Sequence, residues 1–234
     1  MRNMSNNRKI SAILFDMDGV LVDSRSVIER AWREAAGMYG VSITEDDIHT
    51  HIHGQPGPHT IRALFGHLPP VDQQKVQTHI IHSENTSECV PVPGVAKFVG
   101  RLSAAGIPLG IVTSGWRYKI DRVIASLNAQ SCFSVIVERD DVKRGKPFPD
   151  PYLLAAERLG LPPAETLVFE DAKSGVTAAV TAGARCVGIG GDELLACGAE
   201  FVVPDFSAIE TFTYAGAQTV ISFTQDHTLY IERK

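Results

Sequence analysis

Two aspartates two positions apart, Asp16 and Asp18, follow the apolar run Ile13-Leu14-Phe15, and Gly19 comes directly after them. If that run is a buried strand, its alternation sends both carboxylates to the same side of the backbone. Two acids with one aim are costly to bury without a cation beside them. Gly19 permits a turn whose N–H groups can approach a phosphoryl oxygen. An ordinary strand-end turn uses the same residue types, so the segment alone leaves both readings open.

Further chemical groups end apolar runs downstream. Thr113 and Ser114 follow Ile111-Val112 and precede Gly115, which places hydroxyls at the carboxyl edge of a sheet, where open α/β sheets bind ligands. A helix N-cap accounts for Thr113 equally well, and Ser114 lacks the Gly-x-Ser-x-Gly setting of a serine hydrolase. Lys146 lies in the loop Lys143-Arg144-Gly145-Lys146-Pro147-Phe148-Pro149-Asp150 and can reach back to an anion at that edge; a solvated lysine is the alternative, as for Lys143 and Arg144. Glu170 and Asp171 follow Leu167-Val168-Phe169 and lead into the small-residue stretch Ala172-Lys173-Ser174-Gly175-Val176. With Asp16 they make a hard, oxygen-only set suited to Mg2+, although helix capping also explains an acid there. Together, an acid pair, a hydroxyl, a lysine and a second acid pair occupy four strand ends in order, which coincidence explains poorly.

The elements that must hold these groups are legible as alternation. Strands are expected at Ile10 to Phe15, Pro108 to Val112, Phe133 to Val137, Thr166 to Phe169 and Cys186 to Ile189, with helical patterns between them, as at Lys119 to Leu127 and around Tyr152 to Leu159. That rhythm predicts a doubly wound, Rossmann-like parallel sheet covered on both faces. It breaks between Val22 and Val92. There, Val27, Ile28, Ala31, Ala35 and Met38 form one helical stripe stopped near Gly40, Thr44-Glu45-Asp46-Asp47 reads as a helix start, and Ile61, Leu64, Phe65, then Ile80 and Ile81, predict two more helices. We therefore expect an α/β core domain from residues 1–22 and 92–234 and an inserted small helical domain at 23–91, of roughly the minimum domain size. The tail, Thr219 to Phe223 and His227 to Glu232, reads as a β-hairpin turning at Gln225-Asp226.

Bulk properties narrow the function. The 22 basic and 27 acidic residues give a net charge of −5 without a basic run, which argues against nucleic acid as a partner. Cys89, Cys132, Cys186 and Cys197 form no Cys-x-x-Cys pair and read as reduced packing residues. The polar start, Met1 to Lys9, and the short apolar run after it predict no signal or membrane segment, hence a cytoplasmic protein. Nothing sets the oligomeric state; a monomer is compatible with this composition.

The four strand-end groups resemble the motifs of the haloacid dehalogenase superfamily, here Asp16-Met17-Asp18-Gly19, Thr113, Lys146 and Glu170-Asp171. The resemblance covers nearly the whole chain. Gly145-Lys146-Pro147-Phe148-Pro149-Asp150-Pro151-Tyr152 and Phe169-Glu170-Asp171-Ala172 look like the branch containing β-phosphoglucomutase and small sugar phosphatases. Val22-Asp23-Ser24, Ile52-His53-Gly54 and Val112-Thr113-Ser114-Gly115 narrow it to bacterial hexitol and sugar phosphatases.

That resemblance implies a mechanism. Asp16 attacks phosphorus to form an aspartyl-phosphate, and Asp18 protonates the departing oxygen, then activates water. Mg2+ is held by Asp16, the carbonyl of Asp18 and Asp171, with Glu170 nearby, while Thr113 and Lys146 grip phosphoryl oxygens. Gly19, Ser114 and Gly115 are further phosphate-side candidates. The helical insert would be a cap that closes over the site and selects the substrate, a small phosphate ester, through His53, Gly54, Gln55 and Thr60.

Four alternatives are weighed against this. All histidines but His227 fall between His49 and His82, including His49-Thr50-His51-Ile52-His53, but no supporting cysteine or carboxylate pattern makes them a zinc site. A phosphomutase of the same branch carries a histidine and an arginine in its cap where Ile28 and Gly57 stand here, which favours hydrolysis. A phospho-receiver module places its acid pair first and its acceptor carboxylate on a later strand, the reverse of this order. The dehalogenase branch itself has no use for the complete pair Glu170-Asp171.

Overall fold

The computed structural model describes residues 9–209, 211–215, 218–224 and 227–232. Six strands, β1 (Ala12–Phe15), β2 (Leu109–Val112), β3 (Val135–Val137), β4 (Thr166–Glu170), β5 (Arg185–Ile189) and β6 (Val202–Val203), form one parallel sheet in the order β3-β2-β1-β4-β5-β6. Five are the expected strands, with starts shifted by up to two residues. The sixth is too short to show a period. Strands β1, β2 and β4 are buried along their whole length, the mark of a sheet covered on both faces.

Helices α1 (Arg25–Met38), α2 (Glu45–Asp47), α3 (Gly57–Phe65), α4 (Pro70–Thr86), α5 (Val95–Ala104), α6 (Arg117–Ser126), α7 (Asp150–Leu159) and α8 (Lys173–Thr181) complete the regular structure up to β6. Alternation along β1 divides the core. Ile13 and Phe15 pack with Phe98, Val99, Ile120 and Val123 from α5 and α6, whereas Leu14 packs with Tyr152, Ala155, Val176 and Ala179 from α7 and α8.

The chain moves outward from β1 to β2 and β3, then returns to the other side of β1 with β4. The carboxyl ends of β1, β2 and β4 therefore meet at the point where the winding direction reverses, the place where doubly wound sheets open a crevice.

Between β1 and β2, the described regular structure is helical until α5. Trp32, Ala35, Ile48, Ile52, Ile61, Phe65, Val76 and Ile80 from α1, α3, α4 and the wide turn Ile48–Ile52 bury one another. The expected start at Thr44 is a full capping box with Asp47. Met38 departs from the expected stripe and is 60% exposed. Trp32 turns towards Phe65, with ring centroids 6.0 Å apart, and this rotates the buried face of α1 onto Trp32 and Ala36. The two segments that join these helices to the sheet run side by side, with Asp23 N–H donating to the Val90 carbonyl at 2.8 Å and Val92 N–H to the Leu21 carbonyl at 3.3 Å.

A second sheet of three antiparallel strands, β7 (Thr211–Ala215), β8 (Gln218–Thr224) and β9 (His227–Glu232), follows. β8 and β9 pair as the expected hairpin; its turn residues Gln225-Asp226 lie outside the described residues. Ile221, Phe223, Leu229 and Ile231 face the core, where Phe223 meets Phe98 and Phe169 at 6.0 and 5.9 Å. Strand β9 also pairs Ile231 with Ile10 just before β1. The four cysteines are free, and no helix among the described residues is long and apolar enough to cross a membrane.

Candidate active site

Asp16 continues β1 by one residue, its N–H donating to the Phe169 carbonyl at 3.0 Å. The backbone then turns back on itself, with the Met17 carbonyl accepting from Leu21 at 2.9 Å and Val22 at 3.1 Å. Gly19 makes this turn at φ +78°, and a Cβ there would overlap the Asp171 carboxylate. Only glycine meets both demands.

Lys146 crosses from its loop and is 3% exposed. Its Nζ donates to Asp16 Oδ1 at 2.6 Å, Glu170 Oε1 at 2.6 Å and the Val112 carbonyl at 3.0 Å, which satisfies all three ammonium protons. Burial opposes its charge, but the Asp16 and Glu170 carboxylates prevail and hold Lys146 above its ordinary value. Glu170 is fully buried. It also accepts from Tyr152 Oη at 2.6 Å and from the Asp171 and Ala172 N–H groups at 3.1 and 3.4 Å, so it acts as the anchor behind Lys146.

Carboxylate oxygens of Asp16, Glu170 and Asp171 lie within 4.8 Å of one another. Burial pushes Asp16 well above the usual carboxylate range; Lys146 pulls it down, and Glu170 and Asp171 add to the rise. Burial likewise pushes Asp171 up to about 7 against the pull of Arg25, whose Nε donates to Asp171 Oδ2 at 2.8 Å. Three crowded, water-poor carboxylates fit a hard divalent cation such as Mg2+, which supplies the missing positive charge through oxygen ligands.

Asp18 sits at the other lip. Its Oδ1 accepts from Ser24 Oγ at 2.5 Å and lies 2.6 Å from Lys119 Nζ. Thr113 Oγ1 accepts the Gly115 N–H at 2.9 Å, which leaves its own proton to donate to an incoming oxygen.

Asp16, Asp18, Thr113, Ser114 and Gly115 line one cavity together with Gly54 and Gln55 from the helical insert. Its far wall is Ile28, Trp32, Ile52, Ile61, Ile80 and Ile81, and its volume is about 80 Å3. A wider depression of about 560 Å3 meets it at Gln55, Thr113, Ser114 and Arg139 and carries Arg62, Lys143, Arg144 and Lys146, a positive approach for an anion.

Two expected substrate contacts stand elsewhere. Thr60 is buried and gives its hydroxyl to the His51 carbonyl at 2.5 Å, locking α3 to the turn before it. His53 lies beside Glu29, Nε2 to Oε1 3.0 Å; burial and then Arg25 hold it below its ordinary value. Neither lines the cavity. Among the described residues, the only group of three or more possible metal ligands is the acidic one, so the histidine run does not assemble a zinc site.

Sequence reasoning missed Arg25, Glu84, Lys119 and Tyr152 as site residues. Each reaches the site from a helix that is remote in sequence from its partner. The visible signal is a charged or hydroxylated residue beside a buried stripe, as Lys119 stands beside Ile120, Val123 and Ile124.

Residues 13–189 match the family model described as haloacid dehalogenase-like hydrolase. The chain is 35% identical to hexitol phosphatase A of Escherichia coli over 183 residues, 77% of this chain and 83% of that protein. It is 36% identical to a phosphorylated carbohydrates phosphatase of Thermotoga maritima over 178 residues, 74% and 82% of the respective chains. Among solved structures, CbbY of Rhodobacter sphaeroides in complex with xylulose-(1,5)bisphosphate superposes with a TM-score of 0.74 at 26% identity, covering 86% of this chain and 96% of that one.

Proposed function

The chain belongs to the haloacid dehalogenase-like hydrolases, and from that premise we propose that it is a Mg2+-dependent phosphatase that hydrolyses small phosphorylated metabolites, sugar or alditol phosphates, through an aspartyl-phosphate at Asp16. One observation carries the reading. Asp16, ion-paired to buried Lys146 and grouped with Glu170 and Asp171, lines the same cavity as Asp18 and Thr113.

Asp16 is the nucleophile, and Lys146 both orients its carboxylate and offsets charge on the transferring group. Thr113 donates its free proton to a phosphoryl oxygen. Asp18 protonates the departing alcohol and then takes a proton from the attacking water. Asp16, the Asp18 carbonyl and Asp171, with Glu170 nearby, would hold Mg2+, which would supply positive charge to offset that of the phosphoryl group.

The helical residues 23–91 act as a cap. The cavity of about 80 Å3 opens into the depression of about 560 Å3, which lies within the roughly 300–1,000 Å3 range of ligand pockets, so an ester can reach Asp16 from that side, and closure of the cap would then exclude water. Ile28 and Gly57 on the cavity wall provide no imidazole or guanidinium for returning the phosphoryl group to a sugar, which supports hydrolysis over mutase chemistry. The sugar and alditol phosphate preference follows the named relatives.

The test is phosphate release from a panel of hexose, pentose and alditol phosphates with Mg2+. Release that stops with EDTA and in Asp16→Asn is the expected result. Undiminished turnover in Asp16→Asn would sink the mechanism, and isomerised ester without free phosphate would assign a mutase instead.

A further inference from the structure

Lys119 lies on α6, a core helix, and is 5% exposed. Its Nζ stands 2.6 Å from Asp18 Oδ1 and 2.5 Å from Glu84 Oε2. Glu84 belongs to α4 of the cap, so one buried ammonium is shared between a carboxylate of the catalytic turn and a carboxylate of the cap.

The neighbours of Lys119 show that this meeting is built. Trp116, Lys119 and Arg122 follow one another at successive turns on one side of α6. Trp116 Nε1 donates to Asn85 Oδ1 at 3.0 Å. Arg122 donates to the Glu84, Asn85 and Ser87 carbonyls at 3.2, 2.6 and 2.5 Å. Carbonyls in the last turn of a helix have no partner of their own; here Arg122 takes them, fixing the end of α4 against α6 with Glu84 aimed at Lys119.

We propose that Lys119 is the positioning residue of Asp18, and that Glu84 completes the arrangement only when the end of α4 is docked, so that cap closure and placement of the acid–base carboxylate are one event. The proposal rests on the reading of Asp18 as the acid–base group. Ser24 and Lys119 both bind Oδ1 of Asp18, which leaves Oδ2 to exchange protons in the cavity. With the cap undocked, the full attraction of Lys119 falls on Asp18 alone. With it docked, Glu84 draws the ammonium from the other side and sets where Asp18 rests.

p-Nitrophenyl phosphate separates positioning from mere structure. Its leaving group needs no proton, so the aspartyl-phosphate forms without Asp18, while its hydrolysis still requires Asp18 to activate water. Rapid mixing of Lys119→Met with this ester and Mg2+ is expected to give a burst of p-nitrophenolate of one equivalent per site. A hydrolytic phase about 10- to 100-fold slower than wild type should follow, short of the roughly 10²- to 10⁴-fold that general acid–base catalysis contributes, because Asp18 is displaced and not removed. Lys119→Arg should recover part of the hydrolytic rate. Glu84→Gln should slow the same phase by a smaller factor.

Lys119→Met leaves the buried Glu84 and the part-exposed Asp18 carboxylates without their cation, so Lys119→Met/Glu84→Gln provides the same readout where the single variant does not fold. A hydrolytic phase at the wild-type rate in the folded Lys119 variants overturns the proposal, and a wild-type rate in Glu84→Gln overturns the link to cap docking. Asp18→Asn separates the two levels. A burst there with none in Lys119→Met removes Lys119 alone, whereas wild-type turnover in Asp18→Asn removes the reading of Asp18 and the proposal with it.

Discussion

A methyl group at Gly175 would overlap the carboxylate of Glu170, and Glu170 is what holds Lys146 beside Asp16. Gly175→Ala is therefore expected to displace Glu170, loosen Lys146 and lower kcat at least tenfold, a loss checked by steady-state kinetics on a variant shown to be folded. Asp171 makes a pH prediction. Its pKa rises from 3.8 to about 7 on folding, through burial, so the metal-free folded state binds that proton more tightly than the unfolded chain. Stability from this group is present below pH 4 and is lost as pH rises to about 7. Urea unfolding in EDTA should show wild type losing stability relative to Asp171→Asn across that window; a flat difference would count against it. The acids of the candidate site, Thr113 and Lys146 were legible because each follows or faces the end of an apolar run. Thr60 was misread because a hydroxyl in a helix can satisfy a nearby carbonyl as readily as a substrate, and spacing does not distinguish the two.

At the scale of elements, the contact between α4 and α6 bears most on function. Arg122 alone satisfies three carbonyls at the end of α4. Arg122→Ala should cost about 1.5–3 kcal/mol, the worth of a hydrogen bond to a charged donor, measured by urea unfolding. It should also speed proteolysis near Ser87. The five longer strands and the helices were readable from hydrophobic period. Strand β6, at two residues, has no period to read, and the wide turn Ile48–Ile52 carries a helical pattern that hides its different hydrogen bonding. The contact itself was legible only in part: Trp116 reads as packing against the insert or a neighbouring helix, and it does meet Asn85 of α4, whereas nothing in the spacing of Lys119 and Arg122 points to α4.

Across the whole molecule, the helices of the insert bury their own cluster around Trp32 and Phe65, apart from the main core, as the proposed role of a cap requires. Gly54, at φ +68°, is where the insert comes against α8; a Cβ there would meet Ser174 Oγ at 2.5 Å and Ala172 Cβ at 2.7 Å. Gly54→Val should hold the insert off the sheet edge and raise KM, and because the left-handed backbone at this position strains a β-branched side chain, it should also lower the unfolding midpoint. The doubly wound architecture was legible because buried parallel strands are written as short, uninterrupted apolar runs. The packing of the second sheet was not, because an alternating strand specifies an apolar face and leaves open what covers it.

That second sheet has a consequence for how the protein is made. Phe98 and Phe169 belong to segments synthesised long before Phe223, the ring that packs on both, and Ile10 waits for Ile231. A ribosome adding about 5–20 residues per second leaves this aromatic surface uncovered for several seconds, and the main sheet cannot be sealed until residues 218–232 have cleared the exit tunnel. Stalled or prematurely terminated chains that carry every residue of the candidate site would still expose an apolar face, the kind of surface that chaperones retain and proteases clear.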